Sequence, residues 1–174
     1  MKQIRINESS PFYIAFKNLY QNSFPIFEQR TDEHQLKAFS FQNYHLDVYV
    51  EEETFIGFIA YWEFDEYLYI EHFAIAPELR GKGYGGTVLN LLKASMEKPL
   101  LLEIDPVTDA VSANRLHFYE QNGFYSNPYE HIHPPYRDNY QGHSLVILTT
   151  KGQITRETYE RFAKDLWDIV MGLY

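Results

Sequence analysis

A glycine-rich segment lies between a strand pattern and a helix pattern near the middle of this chain. Residues 80–87 read Arg-Gly-Lys-Gly-Tyr-Gly-Gly-Thr, so four of the six positions from 81 to 86 are glycine. The run Tyr67–Ile75 before them is typical of a strand, and Thr87–Glu97 after them is typical of a helix. Glycine permits positive φ and close approach of the backbone to a ligand. Because a helix N-terminus favours anions, the segment predicts a phosphate cradle.

Composition narrows the class of protein. A length of 174 residues suits one domain with a full core, and we expect a main domain over residues 1–150 with a C-terminal helix over 151–174 packed on it. The net charge of −9 argues against a nucleic-acid partner. The absence of cysteine excludes disulfides and cysteine nucleophiles. Residues 1–7 do not resemble a signal peptide and no apolar run is long enough to span a membrane, so we predict a cytoplasmic protein without a membrane partner.

The order of patterns predicts a mixed sheet. A short N-terminal strand and two helices precede a meander of three runs, His45–Val50, Thr54–Phe64 and Tyr67–Ile75, whose short connections predict antiparallel pairing. The helical connection after the glycine segment makes Leu100–Ile104 a parallel neighbour of the third run. The later patterns predict a helix over Asp109–Gln121, a strand from Phe124, a strand over His143–Thr149 and a helix over Thr155–Leu173. This is an α/β (α+β) protein.

The glycine segment itself allows several interpretations. A P-loop needs a lysine before the Ser/Thr that follows its last glycine, and here Thr87 stands alone. A dinucleotide fingerprint G-x-G-x-x-G is satisfied by Gly81, Gly83 and Gly86, but five residues separate it from the strand and an antiparallel meander precedes it. The segment could also be a mobile turn.

The third pattern is Arg-x-x-Gly-x-Gly, satisfied by Arg80, Gly83 and Gly85. It resembles the acetyl-CoA-binding motif of the GNAT superfamily of N-acetyltransferases. Downstream, residues 118–124 (Phe-Tyr-Glu-Gln-Asn-Gly-Phe) resemble that family's "YExxGF" segment, with one helix and one strand between the motifs. The resemblance covers roughly residues 4–147 and implies a GNAT fold: a mixed, mostly antiparallel sheet with a central, splayed parallel strand pair flanked by helices, here with an extra C-terminal helix.

The resemblance also implies a site for acetyl-CoA as cosubstrate. The pyrophosphate is expected on the backbone amides of the segment, and the pantetheine arm along the strand before it. The expected contacts are Arg80, Gly81, Lys82, Gly83, Tyr84, Gly85, Gly86 and Thr87 for the phosphates, with Phe73, Ala74 and Ile75 for pantetheine. Relatives carry Asn seven residues before the motif tyrosine and Ala four before it, whereas this chain has Ser112 and Arg115 there. We expect Asn114 to make the helix contact to CoA, with Arg115 as the alternative.

Acetyl transfer to an amine needs a proton acceptor and a proton donor. Tyr119 matches the family tyrosine that protonates the leaving thiolate. Glu71 lies on the strand that carries glutamate bases in many relatives; the alternatives are that Glu71 is a structural ion-pair partner, or that His72 is the base. Strict alternation places Tyr69, Glu71 and Phe73 on one face of that strand.

The acceptor pocket is expected between the first two helices and the loop before the last strand. Phe24 and Phe27 lie on the first wall and Tyr136 on the second, while Glu103 contacts substrate or CoA. His131 and His133 form an i, i+2 pair with no nearby carboxylate at ligand spacing, so no metal is expected.

Together these features predict an enzyme that moves acetyl from acetyl-CoA to a primary amine of a small molecule or peptide, by direct attack in a ternary complex. The alternatives are a CoA-binding sensor or regulatory module without turnover, and a Rossmann-type NAD(P)-binding protein. The apolar face of the C-terminal helix, with Phe162, Leu166, Trp167 and Val170, packs on the sheet or on a second subunit, so a monomer or a homodimer is expected.

Overall fold

The computed structural model describes residues 1–172 of the chain. Nine strands and five α-helices alternate along this part of the sequence. In chain order they are β1 (Lys2–Arg5), α1 (Tyr13–Ser23), α2 (Asp32–Ala38), β2 (Tyr44–Glu51), β3 (Thr54–Glu63), β4 (Leu68–Ile75), α3 (Tyr84–Ser95), β5 (Leu100–Ile104), α4 (Ala110–Gln121), β6 (Phe124–Ser126), β7 (Ile132–His133), β8 (His143–Ser144), β9 (Val146–Thr150) and α5 (Arg156–Asp165).

Seven strands form one sheet in the order β1-β2-β3-β4-β5-β9-β6. Every neighbouring pair is antiparallel except β4 and β5, which are parallel and joined by α3. This confirms the predicted mixed sheet and its GNAT architecture. It also excludes the dinucleotide-binding and P-loop interpretations of the glycine segment, since those require a parallel sheet around the strand that precedes the loop.

The parallel strands separate soon after they begin. β4 and β5 are paired only at Leu68 with Leu100 and at Tyr69 with Leu101. Beyond these pairs, β4 continues to Ile75 and β5 to Ile104 without a shared ladder. The predicted splay is therefore present, and it opens the centre of the sheet at the carboxyl ends of both strands.

A β-bulge in β4 changes the predicted faces of the strand. Ala60 pairs with His72 but Tyr61 pairs with Ile70, which leaves Glu71 as an extra residue. Tyr69 and Ala74 belong to the core on one side of the sheet, while Ile70 and Phe73 pack on the other side. The prediction that Tyr69, Glu71 and Phe73 share a face was wrong, because one extra residue inverts the alternation that follows it.

The two cores lie on opposite sides of the sheet. One packs α1, α2 and α5 against it, and the other packs α3. The C-terminal segment runs as α5 and then as a π-helical turn, Leu166–Val170. Phe162 and Leu166 are fully buried, with the Phe162 ring 5.1 Å from that of Tyr69. Trp167, predicted on the same face, is instead 58% exposed.

Some predicted bounds differ from the structure. The helix after the glycine segment begins at Tyr84, three residues earlier than predicted, because Gly83 caps it. The predicted last strand is split: His143–Ser144 pairs with Ile132–His133 in a separate two-stranded ladder, and Val146–Thr150 joins the main sheet. The last predicted helical residue, Leu173, lies outside the described residues. In the described chain, no helix has the length and apolar character needed to cross a membrane.

Candidate active site

The glycine segment forms the N-terminus of α3. Gly83 is the N-cap residue and has φ +84°, a left-handed conformation that an L-residue adopts only with strain. The first helical hydrogen bond runs from the Thr87 N–H to the Gly83 carbonyl at 3.2 Å. The N–H groups from Gly83 to Gly86 precede this bond, so they are the donors that a helix leaves without an intrahelical partner. Gly85 packs against α4, where an added Cβ would lie 3.0 Å from Phe118 Cζ.

Side chains of the segment hold it in place. Arg80 Nε donates to the Ile75 carbonyl at 3.0 Å, and one terminal nitrogen donates to Ser23 Oγ at 3.3 Å. The Tyr84 hydroxyl donates to Glu51 at 3.0 Å. Thr87 differs from the prediction, since both its N–H and its hydroxyl donate to the Gly83 carbonyl.

One cavity of about 1010 Å³ connects the glycine segment, the gap between β4 and β5, and the first-helix region. Fourteen of the predicted site residues line it: Phe24, Phe27, Glu71, Phe73, Ala74, Ile75, Arg80, Gly81, Gly83, Gly85, Gly86, Glu103, Tyr119 and Tyr136. The structure thus brings together residues from five regions of the sequence.

Four predicted contacts lie outside this lining: Lys82, Tyr84, Thr87 and Asn114. Asn114 is exposed on α4. Arg115, the alternative, does line the cavity, with its guanidinium 2.6 Å from Asp105. Ser112, at the position where relatives carry Asn, completes a capping box with Asp109. The predicted CoA contact of Asn114 stays a prediction.

Tyr119 lies in the last turns of α4 and lines the cavity beside Phe118. Its ring packs edge-on against Phe124, with centroids 5.4 Å apart. Burial raises the pKa of Tyr119 to about 12. The hydroxyl therefore keeps its proton at neutral pH, as a proton donor must.

The Glu71 carboxylate is enclosed by protein. Arg30 Nε lies 2.8 Å from Glu71 Oε1 in an ion pair whose alignment is not that of a hydrogen bond, and Trp62 Nε1 donates to Oε2 at 2.7 Å. The Glu71 side chain has no exposed surface. Burial alone would raise the pKa of Glu71, but the Arg30 guanidinium and His72 hold it below its usual value. The geometry favours the structural role among the alternatives, and the base role stays a prediction.

Glu103 on β5 is the centre of a second buried polar cluster. The Tyr69 hydroxyl donates to Oε2 at 2.6 Å, and His131 Nε2 donates to Oε1. His133 Nε2 lies 3.8 Å from Oε2. Burial would raise the pKa of Glu103, but the neighbouring His133 and the hydrogen bond from His131 lower it. The carboxylate is therefore held ionised inside the cavity.

Four cavity residues were not among the predicted site residues, although Glu28 and His133 lie in the segments predicted to form the pocket walls. Glu28, Asp105, His133 and His143 all line the cavity, and each is acidic or lies within 4.0 Å of an acidic group. Glu103 and the histidine pair are 28 residues or more apart in the sequence, which hid their proximity. The signal available was the i, i+2 spacing of His131 and His133. Among residues 1–172, no cluster of three or more potential ligands is arranged to hold a metal ion.

A mostly antiparallel sheet whose parallel pair opens beside a glycine-capped helix defines the GNAT class of folds. The sequence profile of the Acetyltransferase (GNAT) family matches residues 13–124, more than half of the chain. The protein belongs to this family.

Individual relatives agree with this assignment. A Bacteroides thetaiotaomicron protein, provisionally described as a GNAT-family acetyltransferase, is 30% identical, with a TM-score of 0.93 and 99% of each chain covered. A Bacillus subtilis (strain 168) protein, provisionally named acetyltransferase YjbC, is 30% identical over 103 residues, which are 58% of this chain and 52% of YjbC. The match thus spans about half of that curated relative.

The fold is shared with more distant structures. A GNAT acetyltransferase from Elizabethkingia anophelis with acetyl-CoA bound has a TM-score of 0.56 and 18% identity, over 86% of this chain and 96% of that one. At this identity the likeness concerns the fold alone.

Proposed function

We propose that this protein transfers an acetyl group from acetyl-CoA to a primary amine of a small molecule or peptide, by direct attack in a ternary complex. The observation that carries the proposal is the single cavity that joins the open N-terminus of α3, the gap between β4 and β5, and the buried carboxylates. Such a cavity has room for a phosphate-bearing donor at one place and an acceptor at another.

The donor end is built for a diphosphate. The N–H groups of Gly83–Gly86 and the positive end of the α3 dipole attract anions. The strand gap beyond Tyr69 offers the β4 backbone to an extended amide chain such as pantetheine, in the manner of an added strand. Arg80 supports this arrangement by tying the segment to the Ile75 carbonyl. The Elizabethkingia anophelis structure of the same fold has acetyl-CoA bound, which supports this class of donor.

The acceptor end favours a cation. The carboxylates of Glu28, Glu103 and Asp105 line the cavity, and the aromatic rings of Phe24, Phe27 and Tyr136 form its apolar walls. An ammonium group with an apolar body matches this lining, because the carboxylates attract its charge and the rings contact its carbon atoms. The net charge of −9 adds a field of the same sign.

Three changes accompany the reaction. The ammonium loses a proton, its nitrogen attacks the thioester carbonyl, and the sulfur leaves as a thiolate that takes up a proton. Tyr119 is the proton donor in this proposal, since its hydroxyl is protonated at neutral pH and the residue lines the cavity. The proposal requires Tyr119 to lie within hydrogen-bond distance of the sulfur when the donor is bound.

Thermal unfolding with candidate donors tests the proposal first. Acetyl-CoA and CoA should raise Tm and NADPH should not, since a ligand at a hundred times its Kd stabilises the native state by about 2.7 kcal/mol. A panel of primary amines is then assayed for thiol release from acetyl-CoA, and the protein contributes no background because it has no cysteine. Failure of acetyl-CoA to raise Tm contradicts the proposal. Binding without amine-dependent thiol release identifies a sensor instead.

A further inference from the structure

His133, a residue that lines the cavity, has a ring nitrogen without a hydrogen-bond partner in the described chain. It is 2% exposed, and its Nε2 has no hydrogen-bond partner among the described residues. A buried polar atom without a partner is uncommon and points to a missing group. Since His133 lines the cavity, a ligand bound there is a candidate partner for this nitrogen.

The contacts of His133 define which ring nitrogen carries hydrogen. Nδ1 lies 2.5 Å from the carbonyl oxygen of Pro134. A carbonyl can only accept, so Nδ1 is the protonated nitrogen. In the neutral imidazole the lone pair is then on Nε2. Stacking on the Tyr136 ring, with centroids 4.9 Å apart, fixes the plane of the imidazole.

The lone pair faces a second acceptor. His133 Nε2 lies 3.8 Å from Glu103 Oε2, too far for a hydrogen bond between them. The Tyr69 hydroxyl already donates to that oxygen from β4. Two acceptors side by side are complementary to a group that brings several hydrogens, and a primary ammonium brings three.

We propose that His133 is the catalytic proton acceptor, with Glu103 as the residue that positions the ammonium and stabilises the imidazolium. This inference rests on the proposed function. The ammonium of the acceptor donates one hydrogen to Glu103 Oε2 and transfers another proton to His133 Nε2. The amine lone pair then forms the bond to the thioester carbonyl carbon. The carbon–sulfur bond breaks, the thiolate takes the Tyr119 proton, and the amide nitrogen loses its remaining extra proton to solvent, from which Tyr119 is reprotonated. The His133 imidazolium then releases its proton to solvent, which is the one net proton that the reaction liberates.

Two other basic groups near the cavity, His72 and Glu71, have protein partners. His72 Nε2 donates to the Glu28 carbonyl at 2.9 Å, and its ring is packed edge-on between Tyr20 and Phe24. Glu71 is ion-paired with Arg30 and has no exposed side-chain surface. The second ring nitrogen of His72, Nδ1, lies 3.7 Å from the enclosed Glu71 Oε1. Glu71 cannot receive a proton from a substrate without losing its contact with Arg30, whereas His133 Nε2 has no hydrogen bond within residues 1–172 to break.

His133→Asn separates basicity from structure. Asparagine places an amide donor near the position of Nδ1, which preserves the bond to the Pro134 carbonyl, and removes Nε2. His117→Gln is the matched control, because His117 is exposed on α4 and lies outside the cavity lining. With full-length protein and the best amine from a panel that includes benzylamine and linear diamines, we expect kcat/KM for the amine to fall about 100-fold in His133→Asn. The Tm shift with acetyl-CoA should match that of the wild type in both variants.

Ring ¹⁵N spectra of the whole chain give a measurement that does not depend on turnover. At pH 8, with the His133→Asn spectrum as the assignment, His133 should show a protonated Nδ1 and a bare Nε2. Adding benzylamine should shift the Nε2 resonance.

The outcomes are distinct. A protonated Nε2 at pH 8, or turnover of His133→Asn within threefold of wild type, overturns the role of His133 while leaving acetyl transfer intact. If the wild type neither gains stability from acetyl-CoA nor releases thiol with any amine, the proposed function is wrong, and this inference falls with it.

Discussion

Glu71 and Arg30 form a buried ion pair at the bulge in β4. The Arg30 guanidinium lies between the rings of Trp62 and Tyr136, 5.7 Å from each centroid, and also donates to the Val170 carbonyl at 2.8 Å. Forming such a pair adds little net stability, since both charges lose their water. Removing one partner is costly, because the other charge stays buried and unpaired.

Glu71→Gln should therefore lower the free energy of unfolding at pH 7 by about 3 kcal/mol. The loss should shrink in acid. Because the pKa of Glu71 is lower in the folded chain than in the unfolded chain, its contribution is complete above the unfolded value of about 4.3 and is lost as the pH falls through the folded value. Urea unfolding at pH 7 and pH 3.5, for variant and wild type, measures both effects.

The same variant tests the base role of Glu71. If Glu71 has only a structural role, turnover per folded molecule should fall less than about tenfold in Glu71→Gln. If Glu71 is the general base, turnover should fall about 100-fold or more. A stable Glu71→Gln protein with the larger loss of turnover would restore Glu71 as the base and contradict the assignment to His133.

Tyr119→Phe tests the proton donor. The change removes one hydroxyl and keeps the ring that packs on Phe124, so the fold should be retained. We expect kcat to fall about 100-fold with an unchanged Tm shift on acetyl-CoA. A wild-type kcat in Tyr119→Phe would show that solvent protonates the thiolate. Steady-state thiol release with a saturating amine is the measurement.

For individual residues, the sequence predicted which side chains belong to the site better than it predicted which residues they contact. Tyr119 and Glu103 were identified from motif and strand position, and both line the cavity. The partners of Glu71 could not be identified, because Arg30 is 41 residues away and the bulge has no mark in the alternating pattern. The same limit hid the contact of Glu103 with the histidine pair.

The N-terminus of α3 is the element on which donor binding depends. Its loop was predictable because glycine is chosen for backbone geometry, and Gly81 and Gly83 do adopt positive φ. The split of the last predicted strand was not predictable, since Leu145 continues the apolar pattern while its N–H bonds to the His131 carbonyl in the small ladder.

Gly83→Ala separates the conformational role of this glycine from its role in binding. An alanine at φ +84° costs about 1–2 kcal/mol of stability. Its Cβ meets no protein atom within 4 Å. If the phosphates bind at this helix N-terminus as proposed, the added methyl group obstructs them, so affinity for acetyl-CoA should fall at least about tenfold, equal to about 1.4 kcal/mol.

Gly152→Ala is the matched control for that variant. Gly152 has φ +95° and equally open surroundings, but it lies outside the cavity lining. It should lose comparable stability and keep the affinity for acetyl-CoA, as measured by titration calorimetry. Equal affinities in the two variants would contradict phosphate binding at this helix.

Across the whole molecule, the C-terminal segment is connected to the site. The Phe162 ring packs on Tyr67 and Tyr69, and Tyr69 donates to Glu103. Arg30 joins the π-helical turn to the bulge through the Val170 carbonyl. The sequence indicated that this helix has an apolar face but not what covers that face. The spacing of apolar residues is the same whether the helix packs on its own sheet or on a second subunit. The division into residues 1–150 and 151–174 stays a prediction.

Phe162→Ala measures this connection. Loss of a fully buried ring should lower the free energy of unfolding by about 3–5 kcal/mol and, by loosening Tyr69, also reduce kcat/KM for the amine. Phe162→Leu leaves a smaller cavity and should show both effects more weakly. It also provides the measurement if the alanine variant does not fold. Trp167→Ala is the control on the exposed side of the same segment, and it should cost less than about 0.5 kcal/mol.

Light scattering of the wild type and of Trp167→Ala decides between a monomer and a homodimer at this surface. A wild-type dimer that dissociates in Trp167→Ala would show that a second subunit covers the exposed ring. An unchanged mass with unchanged stability would show that the packing of Phe162 on the sheet accounts for the stability of the segment.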